Sequence, residues 1–349
     1  MENLTIKDIA KLANVSVSTV SLVLNDRPGP KKETRDRVRA IIAETGFTPN
    51  AHTQRLSLKR SFTVHVVMRQ YAYNLFNFFA LELLLGILQE SRELGYDVIF
   101  TTVDFAAPSK KERLEYVLDT IRAKTADGII FIQISDPALL TELKKENIPY
   151  LCVDSHVKRD GSVPLLEVDY FDAAYRATEY LISKGHTKIG FIGSDAAPEY
   201  YISTLNGYMG ALRDAGLPCR PDWIRKSDDE EHYDPACMEN ILSCKQRPTA
   251  IFCAGDIFAI GAVKQATKAG LRVPEDISFM SVDDLIVSEH IAPPLSTMSI
   301  DKSEMGVLAM KLIYDQINGE PYEKVNLVKT HLVQRHSVYD MAPVTALGK

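Results

Sequence analysis

The 349-residue sequence predicts an α/β protein with a small three-helix headpiece at its N-terminus and a two-lobed core of parallel sheets with helices on both faces. Two patterns predict this fold. Within residues 5–25, apolar residues recur at helical spacing on both sides of a short turn, and from Phe62 onward short apolar runs alternate with longer amphipathic segments. The hydrophobic fraction of 46 % is enough for more than one sizeable core.

The stretch from Thr5 to Asn25 predicts a helix-turn-helix. Thr5 can cap a first helix, and Asp8 lies three residues on, where its carboxylate can return a hydrogen bond to the cap. Asn14 and Val15 form the turn, after which Ser16 caps a second helix. Short side chains on the outer face of this second helix could approach base edges in a major groove; they are Val17, Ser18, Ser21, Leu22 and Asn25. The alternative is an ordinary amphipathic hairpin buried in a core.

A third helix is expected over residues 32–45, because Gly46 suits a helix C-terminus and a turn-forming Pro-Gly-Pro cluster precedes it. Its surroundings are basic. The side chains of Arg27, Lys31, Lys32 and Arg35 could contact phosphates, which gives affinity without sequence information. The alternative is a merely solvated basic face.

Charge divides the chain into two parts. The net charge is −6, but residues 1–60 carry +5 and the rest carries −11. A basic head and an acidic body should have different partners, and the head suits nucleic acid. The five cysteines lack Cys-x-x-Cys spacing and are interpreted as reduced, mostly buried thiols. Without an apolar run long enough to span a bilayer and without a signal peptide, we expect a cytoplasmic protein.

In the core, the alternation predicts two similar series of strands and helices. The first has strands at 63–68, 97–102, 128–132, 150–153 and 165–168, with helices at 78–94, 110–124 and 137–146. The second has helices at 171–184, 202–215 and 257–269, with strands at 188–192, 250–253 and 277–282. A helix at 311–318 and a last strand at 326–333 complete the prediction.

Five segments, in order, resemble the LacI/GalR family of bacterial transcription regulators over nearly the whole chain. They are residues 5–25, Gly-His-Thr-Lys-Ile-Gly-Phe-Ile-Gly at 185–193, residues 269–278, Pro-Pro-Leu-Ser-Thr-Met at 293–298 and Gln-Arg-His-Ser at 334–337. The resemblance implies a core related to periplasmic sugar-binding proteins. It also implies the division into a headpiece (1–48), a hinge helix and linker (49–61), and a core (62–340) whose first lobe spans about 62–165 plus a C-terminal crossing segment and whose second spans about 166–295.

The resemblance adds DNA contacts. Residues 47–56 are similar to the family hinge, and Leu56 falls where members push an apolar side chain between base pairs from the minor groove, which kinks the DNA. A helix this short is expected to order only on DNA. Leu56 could instead pack on its own headpiece. The further residues expected to contact DNA are Thr5, Ser16, Thr19, Lys31, Asn50, Ala51 and Gln54.

A ligand site is expected where loops meet at the carboxyl ends of the strands. Asp256 and Asp283 each follow a predicted strand, and the family uses the residue matching Asp283 to hold its effector. Both carboxylates could instead cap a following helix. The aromatic side chains Tyr200, Tyr201, Tyr73 and Phe76 could line the same cleft and stack on a sugar or a base, or they could be plain packing or dimer surface.

Four positions depart from the family pattern. Thr204 stands where many members have an arginine clamp, and Gly255 replaces an asparagine that makes two-sided hydrogen bonds. Leu22 replaces a polar residue and can meet a thymine methyl but cannot bond guanine, so Val17, Ser18 and Thr19 carry much of the base reading. Lys31 replaces a capping serine, which predicts a weaker cap on the third helix.

The sequence therefore predicts a DNA-binding transcription regulator, expected to repress, that binds a palindromic operator as a dimer and responds to a sugar-like effector. We find no nucleotide-loop, metalloprotease or serine-hydrolase motif, and we expect no metal and no cofactor. Cys152 and His156 are interpreted as a structural thiol beside a surface histidine. The alternatives are a DNA-binding regulator without an effector, a solute receptor of the periplasmic type, and an enzyme on an α/β scaffold.

Overall fold

The computed structural model describes residues 4–24, 27–47, 60–70, 78–104, 110–134, 136–157, 159–195, 198–227 and 233–341. Contacts between Cα atoms divide the chain into two compact units, Met1–Phe62 and Thr63–Lys349. The predicted hinge at 49–61 lies outside the described residues except at its end. Seven residues with predicted contacts also lie outside the described residues: Asn25, Asn50, Ala51, Gln54 and Leu56 on the DNA side, and Tyr73 and Phe76 on the core side.

The first unit contains the three predicted helices, α1 (Ile6–Leu12), α2 (Val17–Leu24) and α3 (Lys32–Thr45). Their small apolar core is fully buried around Ile9, Val20 and Val38. Gly46 ends α3 with a left-handed φ of 63°, a conformation that glycine adopts without strain. The prediction of a three-helix headpiece is confirmed.

The second unit alternates strands and helices in chain order. They are β1 (Thr63–Gln70), α4 (Phe78–Glu93), β2 (Asp97–Asp104), α5 (Lys110–Arg122), β3 (Gly128–Ile132), α6 (Pro137–Lys145), β4 (Tyr150–Val153), β5 (Leu165–Val168), α7 (Tyr170–Ser183), β6 (Ile189–Ser194), α8 (Pro198–Asp214), β7 (Ile224–Ser227), α9 (Pro235–Leu242), β8 (Ala250–Cys253), α10 (Asp256–Lys268), β9 (Ser278–Asp283), β10 (Ser296–Ser299), α11 (Lys302–Asn318), β11 (Val325–Val328) and β12 (His331–Val333). Short 3-10 turns lie at Pro221–Trp223 and Ile286–Glu289.

The strands form two six-stranded sheets. The first has the order β11-β5-β4-β3-β1-β2 and is parallel throughout. The second has the order β12-β10-β9-β8-β6-β7 and is parallel except at β12. The chain passes between the sheets after β5, β10 and β11, so each sheet with its helices makes one lobe. The predicted fold class is confirmed.

Several details differ from the sequence predictions. Strand β5 belongs wholly to the first sheet, so the first lobe extends past residue 165. Helix α11 starts at Lys302 rather than at residue 311, because the Asp301 side chain caps it by accepting from the N–H of Glu304. The predicted last strand is two strands, one in each sheet. Strand β7 and helix α9 were not predicted. Strand β7 is short and polar, and helix α9 has only two turns after its cap at Asp234.

Of the described residues, no helix combines the length and apolar content that a bilayer span requires. All five cysteines are free thiols, and Cys152, Cys237 and Cys253 are buried.

Candidate DNA-binding surface and effector cleft

Both predicted helix caps of the headpiece are present. The Ser16 Oγ accepts from the N–H of Thr19 at 3.1 Å, which satisfies a free donor at the start of α2. At α1, the Asp8 carboxylate accepts from the Thr5 N–H at 2.9 Å and from the Thr5 hydroxyl at 2.6 Å. These bonds fix the start of each helix.

The side chains on the outer face of α2 differ in solvent exposure. Val17 is 40 % exposed and Ser18 is also exposed, while Thr19, Ser21 and Leu22 are half-buried. The Thr19 hydroxyl lies 2.9 Å from Ser16 Oγ, so part of its hydrogen-bonding capacity is used inside the headpiece. The first turn of α2 therefore presents the most accessible side chains for base edges.

Leu22 lies over the turn that follows α2. Its Cδ1 atom is 3.5 Å from the place where a Cβ on Gly29 would stand, and Gly29 has a φ of 134°. A side chain on residue 29 would be strained there. Leu22 thus shares its apolar surface between this turn and solvent, where it can still meet a thymine methyl.

The basic residues around α3 have different surroundings. Lys31 and Lys32 are exposed, and the Lys31 side chain makes no capping hydrogen bond to α3, as the sequence predicted. Arg35, in contrast, donates from Nη2 to the carbonyl oxygen of Arg27 at 2.9 Å. Arg35 therefore fixes the preceding loop, and the two lysines are the better placed to meet phosphates.

In the core, Asp256 is fully buried at the start of α10 and does not face the cleft. Its carboxylate accepts four hydrogen bonds: from the Ser281 hydroxyl at 2.5 Å, the Leu285 N–H at 2.8 Å, the Ser288 hydroxyl at 2.5 Å and the Thr297 hydroxyl at 2.8 Å. Burial raises its pKa, and these donors oppose the rise. The expected direct contact with an effector does not fit this geometry, because one oxygen already bonds strands β9 and β10 and the other bonds the loop after β9.

The other predicted carboxylate, Asp283, is the last residue of β9, directly before that loop. Its backbone has a φ of 120°, and Asp284 follows with a φ of 58°. Such values are rare for residues with a Cβ and concentrate at functional sites. Burial, reinforced by the carboxylates of Asp256 and Asp154, raises the pKa of Asp283 well above its usual range. Asp283 is thus an acid with a strained backbone whose ionisation is disfavoured.

Gly255 explains one departure from the family pattern. Its φ of 118° and ψ of 139° lie in a region that is essentially restricted to glycine. A Cβ there would also stand 3.3 Å from Phe258 and 3.5 Å from Asp283 Oδ2. The backbone of this chain therefore excludes an asparagine at 255 without rearrangement, and Asp283 fills part of the space.

The carboxyl end of the first sheet brings a second polar group to the same place. Asp154 follows β4, is buried, and accepts from the Gln133 side chain at 3.0 Å and from the Tyr170 hydroxyl at 2.8 Å. Burial and the nearby Asp154 and Asp283 carboxylates raise the Tyr170 pKa well above its usual range, so Tyr170 remains a neutral donor.

Three aromatic rings lie beside these carboxylates. The Tyr200 ring stands edge-on to Tyr170 with centroids 4.5 Å apart, and His156 lies 5.2 Å from Tyr200 and 5.7 Å from Tyr170. His156 follows β4 of the first lobe and Tyr200 belongs to α8 of the second lobe. The cluster of Asp154, His156, Tyr170, Tyr200 and Asp283 is called the cleft cluster below.

Tyr201 points elsewhere. It is half-buried with its ring 5.9 Å from Phe191 of β6, so it packs on the second sheet. Both tyrosines lie in the first turn of α8 and not on a loop, because that helix begins at Pro198. Thr204 is buried and donates to the carbonyl oxygens of Tyr200 and Tyr201 at 3.0 and 3.1 Å. It supports the helix that presents Tyr200 and cannot act as a clamp.

Sequence reasoning missed Gln133, Asp154 and Tyr170, and it wrongly placed His156 on the surface. Each follows a strand of the first sheet, which is a signal that the sequence offered. Gln133, Asp154 and His156 also have φ near 50°, which sequence did not reveal. Cys152 is confirmed as structural, since burial raises its pKa to about 12 and a thiolate is disfavoured there.

This arrangement can bind a ligand that carries hydrogen-bond donors. Carboxylates accept from hydroxyl or amino groups, Tyr170 and Gln133 fix the carboxylate of Asp154, and Tyr200 offers a ring for stacking. Within the described residues no group of three or more His, Cys, Asp and Glu side chains could hold a metal ion.

Two family descriptions match parts of the chain. Residues 5–50 match the bacterial regulatory proteins of the lacI family, and residues 178–338 match the periplasmic binding protein-like domain.

Curated relatives match over nearly the full length. The sequence is 32 % identical to the ribose operon repressor of Haemophilus influenzae, over 97 % of this chain and 99 % of the relative. It is 30 % identical to the transcriptional repressor CytR of Escherichia coli, over 90 % of each chain.

Solved structures agree in fold. A complex of the transcriptional regulator CelR with cellobiose has a TM-score of 0.71 at 27 % identity, covering 96 % of this chain and 99 % of that one. The lac repressor dimer bound to operator and the anti-inducer ONPF has a TM-score of 0.76 at 25 % identity, and the match covers 97 % of this chain and 100 % of that one.

Proposed function

Because the chain belongs to the LacI family of bacterial regulatory proteins, we propose that it is a repressor whose hold on DNA is set by a small molecule bound at the cleft cluster. The protein is a DNA-binding transcription regulator of a family that responds to small effectors.

On the DNA side, the proposal assigns the base contacts to the first turn of α2. Val17 and Ser18 are its most exposed side chains, and Ser16 and Thr19 hold the turn in place. Lys31 and Lys32 add phosphate contacts. The predicted hinge contacts of Asn50, Ala51, Gln54 and Leu56 complete the interface.

On the effector side, the observation that carries the proposal is the strained Asp283. Holding an aspartate at a φ of 120° costs stability, and the four hydrogen bonds to Asp256 stabilise the strands and loop around it. A carboxyl group pre-positioned beside Asp154 and Tyr200 gains partners when a ligand with hydroxyl or amino donors binds. The effector is therefore proposed to be a small polyhydroxylated molecule with one face that stacks on Tyr200.

The chain is proposed to act as a dimer, the form in which the lac repressor structure was determined. Helix α4 offers a surface for this contact. Phe78, Leu81 and Leu85 lie at helical spacing and are 47 %, 40 % and 58 % exposed. These three side chains are called the α4 apolar face below. Two paired headpieces would reach successive major grooves of a palindromic operator.

The proposal includes a cytoplasmic location and no catalytic activity. The two relatives described above are named as repressors. The thiols of Cys152 and Cys253 are poor nucleophiles, because burial raises their pKa values. A solute receptor would not need the headpiece, which argues against the periplasmic alternative.

The test is a melting-temperature screen of the full chain against ribose, cellobiose, sugar acids, sugar phosphates and nucleobases. A ligand that binds only the folded protein stabilises it by about 2.7 kcal/mol at a hundred times its Kd. We expect one chemical class to raise the Tm of the wild type and to leave that of Asp283→Ala unchanged.

Asp276→Ala is the matched control, since Asp276 is a carboxylate of the second lobe held by Arg272 outside the cleft cluster. Its ligand response should equal that of the wild type. A panel with no effect on the wild type would refute the effector site, as would an undiminished shift in Asp283→Ala.

A further inference from the structure

Lys302 is a lysine whose side chain is almost completely buried, with 1 % exposed. A buried ammonium needs acceptors for its protons. Its Nζ donates to the carbonyl oxygens of Asp284 at 3.1 Å and Ile300 at 3.3 Å, and lies 3.4 Å from the Glu82 carboxylate. One side chain therefore connects the loop after β9, the strand end before α11, and helix α4.

The loop end of this connection belongs to the effector site. Asp284 directly follows Asp283, and its own carboxylate is held by Arg335 at 2.7 Å. The side chain of Asp284 is thus fixed from within the second lobe, while its carbonyl oxygen is held by Lys302. The positive charge of Lys302 also acts on Asp283 itself. A displacement of this loop must change the surroundings of the Lys302 ammonium.

The other end of the connection is a close contact between two helices. A Cβ on Gly306 would stand 2.1 Å from the carbonyl oxygen of Leu83, and a Cβ on Gly86 would stand 2.0 Å from that of Ser303. The backbones of α4 and α11 are therefore in direct contact, which only glycine permits. Because α11 starts at Lys302, the lysine lies at the start of a helix whose backbone contacts that of α4.

From these contacts we infer that Lys302 is a positioning residue that transmits changes in the Asp283–Asp284 loop to helix α4 and hence to the α4 apolar face. The inference rests on the proposed function for its biological meaning, since it names the route by which the effector site reaches the dimer surface. Lys302 itself contacts neither the effector nor DNA.

The physical basis is the cost of leaving a buried charge without partners. When the loop moves away from α11, the ammonium either loses its Asp284 acceptor or follows it and weakens its pair with Glu82. The first outcome is costly in a site closed to water, and the second shifts the first turns of α4. A neutral side chain of the same length would uncouple the two elements.

The test uses a substitution as the trigger, so it needs no known effector. Asp283→Gly removes the side chain and relaxes a backbone that favours glycine, which frees the loop. Backbone amide exchange of α4 is then measured by mass spectrometry in the full chain. We expect Asp283→Gly to change exchange in α4 about threefold or more in the wild-type background, and to leave it unchanged when Lys302→Met is also present.

Lys311→Met is the matched control. Lys311 also lies on α11 and pairs with α4, through Glu90 at 4.0 Å, but it is 52 % exposed and far along the helix from the loop. The response of α4 to Asp283→Gly should persist in Lys311→Met. An equal response in the Lys302→Met background would overturn the inference, and so would an α4 that does not respond in the wild type.

Glu82→Gln provides the same test if Lys302→Met does not fold. It keeps the lysine and both carbonyl acceptors and removes only the charge on α4, so the response of α4 should again be lost. Failure of the ligand screen would refute the proposed function without altering the exchange result, because the trigger there is a substitution. The two proposals can therefore fail separately.

Discussion

Asp283 and Asp256 lie 27 residues apart in the sequence. Asp283 directly precedes the loop after β9 and Asp256 accepts hydrogen bonds from that loop, yet their roles differ. The Asp256 carboxylate accepts four hydrogen bonds and has no exposed surface. Asp283, in contrast, is half-buried and has a strained backbone and a raised pKa. Asp256 stabilises the structure around the loop, and Asp283 is positioned by that structure. This division explains why an acid whose ionisation is disfavoured persists at the carboxyl edge of the sheet.

The raised pKa of Asp283 predicts a specific pH dependence of stability. A carboxyl group whose pKa is higher in the folded state stabilises the fold while protonated, and this contribution is lost as pH rises from the unfolded value of 3.8 through the folded pKa. The free energy of unfolding of the wild type, minus that of Asp283→Asn, should therefore fall by about 1 kcal/mol or more between pH 4 and 7. Urea unfolding at each pH measures this difference.

Asp276→Asn is the control for that measurement. Hydrogen bonds from Arg272 lower the pKa of Asp276 to about 2, so its contribution is lost only at more acid pH. The difference between the wild type and Asp276→Asn should stay flat from pH 5 to 7. If the difference in free energy of unfolding between the wild type and Asp283→Asn also stayed constant with pH, Asp283 would ionise normally in the folded protein.

At this scale the sequence indicated part of the site. Asp283 and Asp256 were found because each follows an apolar strand, a local signal. The burial of Asp256 was not predictable, since its donors come from Ser281, Leu285, Ser288 and Thr297 and meet only after β9 and β10 pair. Asp154 and Tyr170 were missed because their bond joins the ends of two strands and depends on the first sheet's register.

At the scale of elements, the contact of α4 with α11 depends on two glycines. Gly86 and Gly306 face each other, and each would place a Cβ within about 2 Å of a carbonyl oxygen on the opposite helix. Glycine is normally unfavourable inside a helix by about 1 kcal/mol relative to alanine. Close approach of the two backbones is the gain that offsets this cost.

Gly306→Ala should therefore destabilise the core by about 2–3 kcal/mol, because its Cβ can be accommodated only if the two helices separate. Gly210→Ala is the matched control: it also lies inside a helix, but its Cβ would meet only side-chain rings, Tyr175 at 3.4 Å and Phe171 at 3.7 Å, at ordinary contact distances. That variant should be neutral or slightly more stable. Urea unfolding compares the two, and equal losses would contradict the described packing of α4 on α11.

Elements with strong local signals were predicted well, and those defined by long-range pairing were not. Strands β3, β4, β5 and β8 have the predicted bounds because each is a short apolar run. The stretch at 326–333 was predicted as one strand, but it contributes to two: β11 pairs with β5 in one sheet and β12 pairs with β10 in the other. No local property of the sequence marks the residue at which a chain changes sheets.

For the whole molecule, charge and cleft chemistry assign different partners to the two units. The +5 of residues 1–60 suits DNA, while the −11 of the remainder keeps the core away from phosphates and leaves a carboxylate-lined cleft for a donor-rich ligand. A ligand changes DNA affinity only if it binds the DNA-competent and incompetent states differently. The strained Asp283 loop, connected through Lys302 to α4, is the element for which such a difference is expected.

The central claim is that occupancy of the cleft cluster controls DNA binding, and operator affinity measures this most directly. An operator is first selected from random DNA with the full chain, and its Kd is then measured by fluorescence anisotropy with and without each ligand of the panel. We expect one chemical class to change the wild-type Kd by about fivefold or more and to leave the Kd of Asp283→Ala unchanged. A Kd that no ligand alters, or one that changes equally in Asp283→Ala, would contradict the account.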